Sequence, residues 1–410
     1  MKQNLIVLLS LTLLFSCSQD KKIDHSINGI WISKGYGSII NIGDSKVDYY
    51  NHCAFNCIFD NNESRTEFDT YNDIVRVTED TLVLKKGITK YEYARIDSLP
   101  PLHDPDSTDS PLYNFNTLWH TFNDLYCYFE VRDIEWNSKY EEYSNLVTQS
   151  ENKLEVFMLF EKLLDEMNDN HVFIKVPGDL RSKYNATKKT EAEADESIFS
   201  LVLKAQSSIL KRYIDSIRSY NQGVVQWGNI DNRILYIQIN GMDGFADYQI
   251  SVDQHWTDYW NKYYEIADES PNYGKDVMDG VKMIMDSIVN NSKDIEEVIL
   301  DIRFNRGGWD DVALNILGYF TDKEKSVFTK KTRLLDGYSD KQEILLTPSE
   351  PRLVKQTYLL TSHMTASAAE IMALSALGVE NVTIIGSRTK GIFSDILSKT
   401  LPNGWKYGLS

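Results

Sequence analysis

Along the first hundred positions, apolar and polar residues alternate in short runs: 29–33 (GIWIS), 38–42 (SIINI), 46–50 (KVDYY) and 80–93 (DTLVLKKGITKYEY). A period of two belongs to strands, whose successive side chains leave on opposite faces. The break at Lys85, Lys86 and Gly87 supplies a hairpin turn. Residues 26–96 are therefore expected to form a small β-rich domain. From 97 to 111 the pattern stops at four prolines and four aspartates, which predicts a linker.

The period then changes to three and four. Phe115, Leu118, Trp119, Phe122, Leu125 and Tyr126 make one stripe, and Leu154, Phe157, Met158, Phe160, Leu163, Leu164 and Met167 a second. Each stripe marks one side of an α-helix, and the two are expected to pack together within 112–176. The charged stretch 177–232, with EAEADE at 191–196, predicts a partly helical connector. From 233 onward, strand-like runs at 233–240, 298–302, 356–362 and 382–386 alternate with helical patterns near 277–289, 312–320 and 371–377. Such alternation indicates an α/β layered fold over 233–410.

Ahead of the β-rich region, residues 5–15 form an apolar run behind Lys2. It is too short to span a bilayer and has the length of a signal-peptide core. It closes on Leu14, Phe15, Ser16 and Cys17; a cysteine after a small residue resembles a bacterial lipobox, although Phe15 is bulkier than that pattern prefers. Residues 1–17 are read as a lipoprotein signal peptide and Cys17 as the lipidated mature N-terminus, an ordinary secretory leader being the alternative. The expected location is the cell envelope, periplasmic or outer-membrane, with membrane attachment through Cys17. A formal net charge of −17 argues against nucleic acid, which needs a basic footprint. Four cysteines do not make a disulfide scaffold. Cys53 and Cys57, inside an alternating stretch, are read as buried small side chains or one disulfide rather than a metal or redox pair.

Candidate chemistry concentrates at two strand ends. Ser367, in Thr365 to Glu370 (TASAAE), stands where the 356–362 run turns into a helix. As a helix N-cap it would form a capping box with Glu370. As a nucleophile it would meet helical N–H groups that have no partner inside the helix. The 298–302 strand runs into Asn305, Gly307 and Gly308, and glycines let backbone N–H groups approach a ligand closely. With the N–H of Ala368, Gly307 or Gly308 would complete an oxyanion hole, each donor worth roughly a hundred- to a thousandfold in rate.

The ordered set Asp301-x-Arg303-x-Asn305-x-Gly307-Gly308, then TASAAE at 365–370, then GSRTKG at 386–391 resembles the S41 serine peptidases, the carboxyl-terminal processing and tricorn-core proteases. The resemblance covers most of the chain from Ile234 and rests on order and spacing. It implies an α/β, ClpP/crotonase-like catalytic domain over 233–410, preceded by the β-rich domain and the helical segment. It also implies a serine endopeptidase with a peptide or protein substrate and no cofactor. Tricorn-like members carry an Asp-Gly-His segment where Asp169, Asn170 and His171 stand here, which implies His171 as the general base. Asn170 tolerates the left-handed backbone that a glycine would adopt. His363, four residues before Ser367, is the second-choice base, and Asp301 with Arg303 is expected to brace the glycine loop.

The chain departs from the family in three places. The Ser-Lys branch sets its lysine just beyond the glycine matching Gly391, where Ile392 and Phe393 occur; Lys390 lies two residues away, about 6.6 Å along a strand. A Ser-His arrangement is therefore expected. Processing proteases often place a PDZ domain within the region of 177–232, but that stretch lacks the strand pattern, so tail specificity is not carried over. The triad glutamate of tricorn-like members is expected beyond Ser410, with LPNGW at 401–405 opening its segment and the domain read as truncated. The rival function is a catalytically weak lipoprotein that binds peptides or hydrophobic ligands through the aromatic insertion at 245–264 and the β-rich domain. An esterase on the same pair is a third reading.

Overall fold

A computed structural model describes residues 26–188 and 198–410; the leader with Cys17 and the acidic run at 191–196 lie outside the described residues. The amino-terminal strands β1 (Gly29–Ser33), β2 (Ser38–Ile42), β3 (Lys46–His52), β4 (Cys57–Ser64), β5 (Asp73–Val77), β6 (Thr81–Lys86) and β7 (Thr89–Ile96) make one antiparallel sheet in the order β4-β3-β2-β1-β7-β6-β5. Alternation becomes two faces. Trp31, Ile40, Ile42, Val47, Leu82 and Leu84 are buried with Phe68, which comes from helix α1 (Arg65–Tyr71). The Ser64–Glu67 capping box starts α1 by satisfying its leading N–H groups. Gly87, at φ 57°, turns β6 into β7. The sheet ends at β5, which pairs with β6 alone.

The expected linker bridges Leu102 to Cys57, coils once at Pro105–Ser107, and reaches Pro111. That proline opens helix α2 (Pro111–Leu125), where its missing N–H costs nothing, and Ser110 caps the helix by accepting from the Tyr113 N–H. Helices α3 (Lys139–Thr148) and α4 (Lys153–Asp165) follow, α4 capped by the Asn152 side chain. The two apolar stripes share one core through Phe115, Leu118, Phe122, Phe157, Phe160 and Leu163. The short strand β8 (Phe173–Lys175) leads to helices α5 (Gly178–Lys188) and α6 (Ile198–Tyr213).

The six-stranded central sheet has the order β18-β17-β12-β11-β10-β9: β9 (Asp215–Tyr220), β10 (Val225–Ile230), β11 (Ile234–Ile239), β12 (Glu297–Asp301), β17 (Gln356–Thr361) and β18 (Val382–Gly386). The boundary expected at 233 moves here, because β9 and β10 belong to this sheet and not to a connector. β10 pairs antiparallel with β11 from Val225 opposite Ile239 to Ile230 opposite Ile234. Strands β11, β12, β17 and β18 are parallel, Val298 facing both Leu235 and Thr357. Parallel strands need crossovers. Helices α7 (Trp256–Glu269) and α8 (Tyr273–Asn290) join β11 to β12, and α9 (Asp310–Gly318) with α10 (Ala368–Ala376) packs beside them. Between α9 and β17 lie the pairs β13 (Lys325–Lys330) with β16 (Gln342–Leu346) and β14 (Arg333–Leu334) with β15 (Gly337–Tyr338).

The last two strands, β19 (Leu397–Thr400) and β20 (Lys406–Leu409), form a hairpin that extends β8 into a three-stranded sheet. Leu401, Trp405, Tyr407 and Leu409 thereby enter the helical core. Lys399 of β19 donates to the carbonyls of Tyr36 (2.8 Å) and Gly37 (2.7 Å), tying the hairpin to the amino-terminal sheet.

Candidate active site

The site is built at the carboxyl ends of β12 and β17, neighbouring parallel strands whose exits are stitched together. Thr365 Oγ1 donates to the Ile302 carbonyl (2.9 Å), the Ala366 N–H to the Asn305 carbonyl (3.1 Å), and Ser362 Oγ to the Arg303 carbonyl. Asn305, fully buried, reaches sideways from Nδ2 to the Ile239 carbonyl of β11 (3.1 Å). Asp301 is buried and accepts the Arg303 backbone N–H at 3.0 Å, two hydrogen bonds from the Arg303 guanidinium at 2.9 and 2.6 Å, and one from Tyr236 at 2.5 Å. These contacts fix the glycine turn before any ligand arrives.

Ser367 occupies the corner between β17 and α10 at φ 54° and ψ −126°. Positive φ is unfavourable for a residue with a Cβ, by about 1–3 kcal/mol, and the surrounding contacts hold it. Gly307, at φ 104°, lies directly against the corner: a Cβ there would stand 2.6 Å from Ser367 Cβ and 2.8 Å from the Ala366 oxygen. Gly308, at φ 140°, is closed in by Met242 in the same way. The two glycines are not equivalent as donors. Gly307 already gives its N–H to Asn305 Oδ1 (2.8 Å). Among the described residues, the Gly308 and Ala368 N–H groups have no protein acceptor. Of the candidates Gly307, Gly308 and Ala368, the last two therefore keep free donors, and Gly307 serves by its lack of a side chain.

Glu370 does more than cap α10. Its fully buried carboxylate accepts from the N–H groups of Ser367 (3.0 Å), Gly391 (2.6 Å) and Ile392 (2.9 Å). The segment after Gly391 is thus held over the serine corner. That segment carries Ser394, whose Oγ lies 3.2 Å from His171 Nδ1.

His171 is 4% exposed and sits between α4 and β8, where the Asp169 carboxylate accepts its backbone N–H at 2.9 Å. Burial pushes the imidazole below its ordinary pKa, against the pull of Asp169, Glu370 and Asp395. Asp169 also accepts from Tyr126 (3.0 Å) and from Ser410 Oγ (2.9 Å). Among the described residues no hydrogen bond joins His171 to Ser367; the loop from Gly391 to Ser394 connects them. His363 is exposed on the turn before the serine, and Lys390 is exposed as well.

Asn305, Glu370 and Ser394 carry the arrangement, and sequence reasoning gave none of them this role. Asn305 had a local signal, an amide two residues before a glycine whose N–H it can hold. Ser394 had none.

Residues 233–410 match the family model described as peptidase family S41, and residues 108–165 match that of the tricorn protease C1 domain. The carboxy-terminal processing protease CtpA of Bacillus subtilis (strain 168) is 31% identical over 127 residues, which is 31% of this chain and 25% of that protein. The chain thus matches about a quarter of the length of that relative. The crystal structure of a putative peptidase from Parabacteroides merdae ATCC 43184 superposes with a TM-score of 0.53 at 20% identity, over 74% of this chain and 83% of that one. Mature CPAF gives a TM-score of 0.48 at 9% identity, over 74% and 88%. The Parabacteroides likeness establishes the mixed α/β fold behind its amino-terminal sheet.

Proposed function

Because residues 233–410 match the model of peptidase family S41, we propose that the chain is a serine-type endopeptidase in which Ser367 attacks the carbonyl of a peptide bond. The carrying observation is the Ser367 backbone, a positive-φ corner between a strand and a helix. Such a turn lifts a hydroxyl clear of the helix it opens. The tetrahedral oxygen would lie between the N–H groups of Gly308 and Ala368, each donor contributing about 10²–10³ in rate.

His171 takes the serine proton as the C–O bond forms and returns it to the leaving amine as the C–N bond breaks; water then releases the acyl group by the same steps. Burial suits this role by keeping the imidazole neutral and able to accept. The hydrogen bond between His171 and Ser367 forms when substrate closes the site, as catalytic contacts often do. Polypeptide as the substrate is supported by the name of the Bacillus subtilis relative, a carboxy-terminal processing protease.

A slower, peptide-holding protein is the second reading, and one observation favours it. His171 Nδ1 faces the hydroxyl of Ser394, not a carboxylate. A triad lacking its acid turns over about ten-thousandfold more slowly.

Labelling with a fluorophosphonate probe separates the readings. The protein is expected to label at one site and to lose that label in Ser367→Ala. An unlabelled protein, or label that survives the substitution, removes Ser367 as nucleophile. Labelling without measurable peptide turnover selects the slow reading.

A further inference from the structure

Between the amino-terminal sheet and the body lies a cleft of about 1700 Å³. It begins beside the serine helix: Ile371 and Leu374, one and two turns beyond Ser367, line it, as do Phe393, Ser394 and Asp395 of the loop that meets His171. The opposite wall includes residues 74–77 of β5, the edge of the seven-stranded sheet. An edge strand presents backbone N–H and C=O groups to whatever lies alongside.

The charge of this cleft opposes that of the chain. Seven Lys or Arg residues and four Asp or Glu residues line it, on a protein whose formal net charge is −17. Two of the four acids are matched within the wall, Glu92 by Lys34 and Asp395 by Lys330 at 2.8 Å. Arg76, Lys90 and Lys341 are exposed and, among the described residues, have no ion-pair partner. Only Asp340 and Glu343 remain to balance them. Concave walls of one sign focus the field and raise the local concentration of opposite charge.

We infer that the cleft holds an extended, acidic stretch of polypeptide. Its backbone runs along the edge of β5, its carboxylates face Arg76, Lys90 and Lys341, and a neighbouring peptide bond is delivered to Ser367. Main-chain pairing to an edge gives affinity, and the side-chain charges give selectivity. A flat anionic bilayer does not fit a concave wall flanked by two domains. Only the delivery step rests on the peptidase reading; the binding step stands without it.

The test uses the Ser367→Ala protein, which holds peptide without cutting it, and fluorescence anisotropy with labelled twelve-residue peptides rich in Glu, Gln or Lys. The Glu peptide is expected to bind at least about tenfold more tightly than the other two, and to lose affinity as salt rises. Charge reversal at Arg76, Lys90 and Lys341 together is expected to weaken it by about tenfold or more, and their replacement by Gln by less. Melting of both triple variants, followed by circular dichroism, shows whether a loss comes from the cleft or from unfolding; the Gln variant decides if the reversal unfolds. Equal binding of the three peptides, or unchanged affinity in the folded variants, overturns the inference. So does binding to phosphatidylglycerol vesicles with none to the Glu peptide. If the Glu peptide binds as expected while Ser367 takes no fluorophosphonate label, the peptidase reading fails and the cleft assignment remains.

Discussion

At the scale of single residues the site depends on where a side chain is absent. Gly307 is needed because a Cβ would meet Ser367 Cβ at 2.6 Å and because its φ of 104° is costly for any other residue. Gly307→Ala is expected to cut the labelling rate of Ser367 at least about a hundredfold, with a loss of stability of about 1–3 kcal/mol. Labelling at the wild-type rate would show that the glycine does not set the corner. In the proposed mechanism His171 is the base, and burial lowers its pKa. Since burial dominates its shift and the neutral imidazole is the active form, activity should rise with pH through a midpoint below the ordinary value of 6.5 and be level by neutrality. A midpoint at or above 6.5 in the kcat/KM profile, or a limb unchanged in His171→Ala, would assign the base elsewhere.

At the scale of elements, Glu370 links two pieces of backbone that the chain order separates, the serine corner that opens α10 and the loop from Gly391, through the N–H groups of Ser367, Gly391 and Ile392. A carboxylate can accept all three N–H groups, whereas an amide would turn its own donor toward one of them. Glu370→Gln is expected to cost about 2–4 kcal/mol in denaturant unfolding and to slow labelling of Ser367. Wild-type values for both would reduce Glu370 to a simple cap. The sequence showed the serine corner, the glycine turn and the parallel strands, because each is written in residues close together along the chain. Strand β9 stayed hidden since five of its six positions are exposed, and β10 since it buries only Val225 and Gly228, which leaves neither an apolar alternation. Helix α3 buries only Tyr143 and Val147, too few for a stripe. The three-fold use of Glu370 and the approach of Ser394 to His171 depend on folding across 21 and 223 positions, which no local pattern records.

At the scale of the molecule, the amino-terminal sheet is fastened to the body by a buried lysine that donates to backbone carbonyls. Lys399 reaches the carbonyls of Tyr36 and Gly37, and burial lowers its pKa to about 8. Between pH 8 and the ordinary 10.5, the unfolded chain holds a proton that the folded one has released. Stability must therefore climb as pH rises through that window. The melting temperature of the wild-type protein, taken relative to Lys399→Met, is expected to increase from pH 8 to pH 10. Parallel curves for the two would mean that the lysine is solvated.

The pairing of β8 with β20 also governs when the site comes into being. Asp169, which holds the His171 backbone, binds a hydroxyl 241 positions further along the chain. At a ribosomal speed of 5–20 residues per second, that partner emerges roughly ten to fifty seconds after the aspartate. Throughout that interval the base-bearing turn lacks its strand neighbour. On the proposed mechanism a nascent chain is inactive until β20 has been made, and the order of synthesis works as a delay on catalysis.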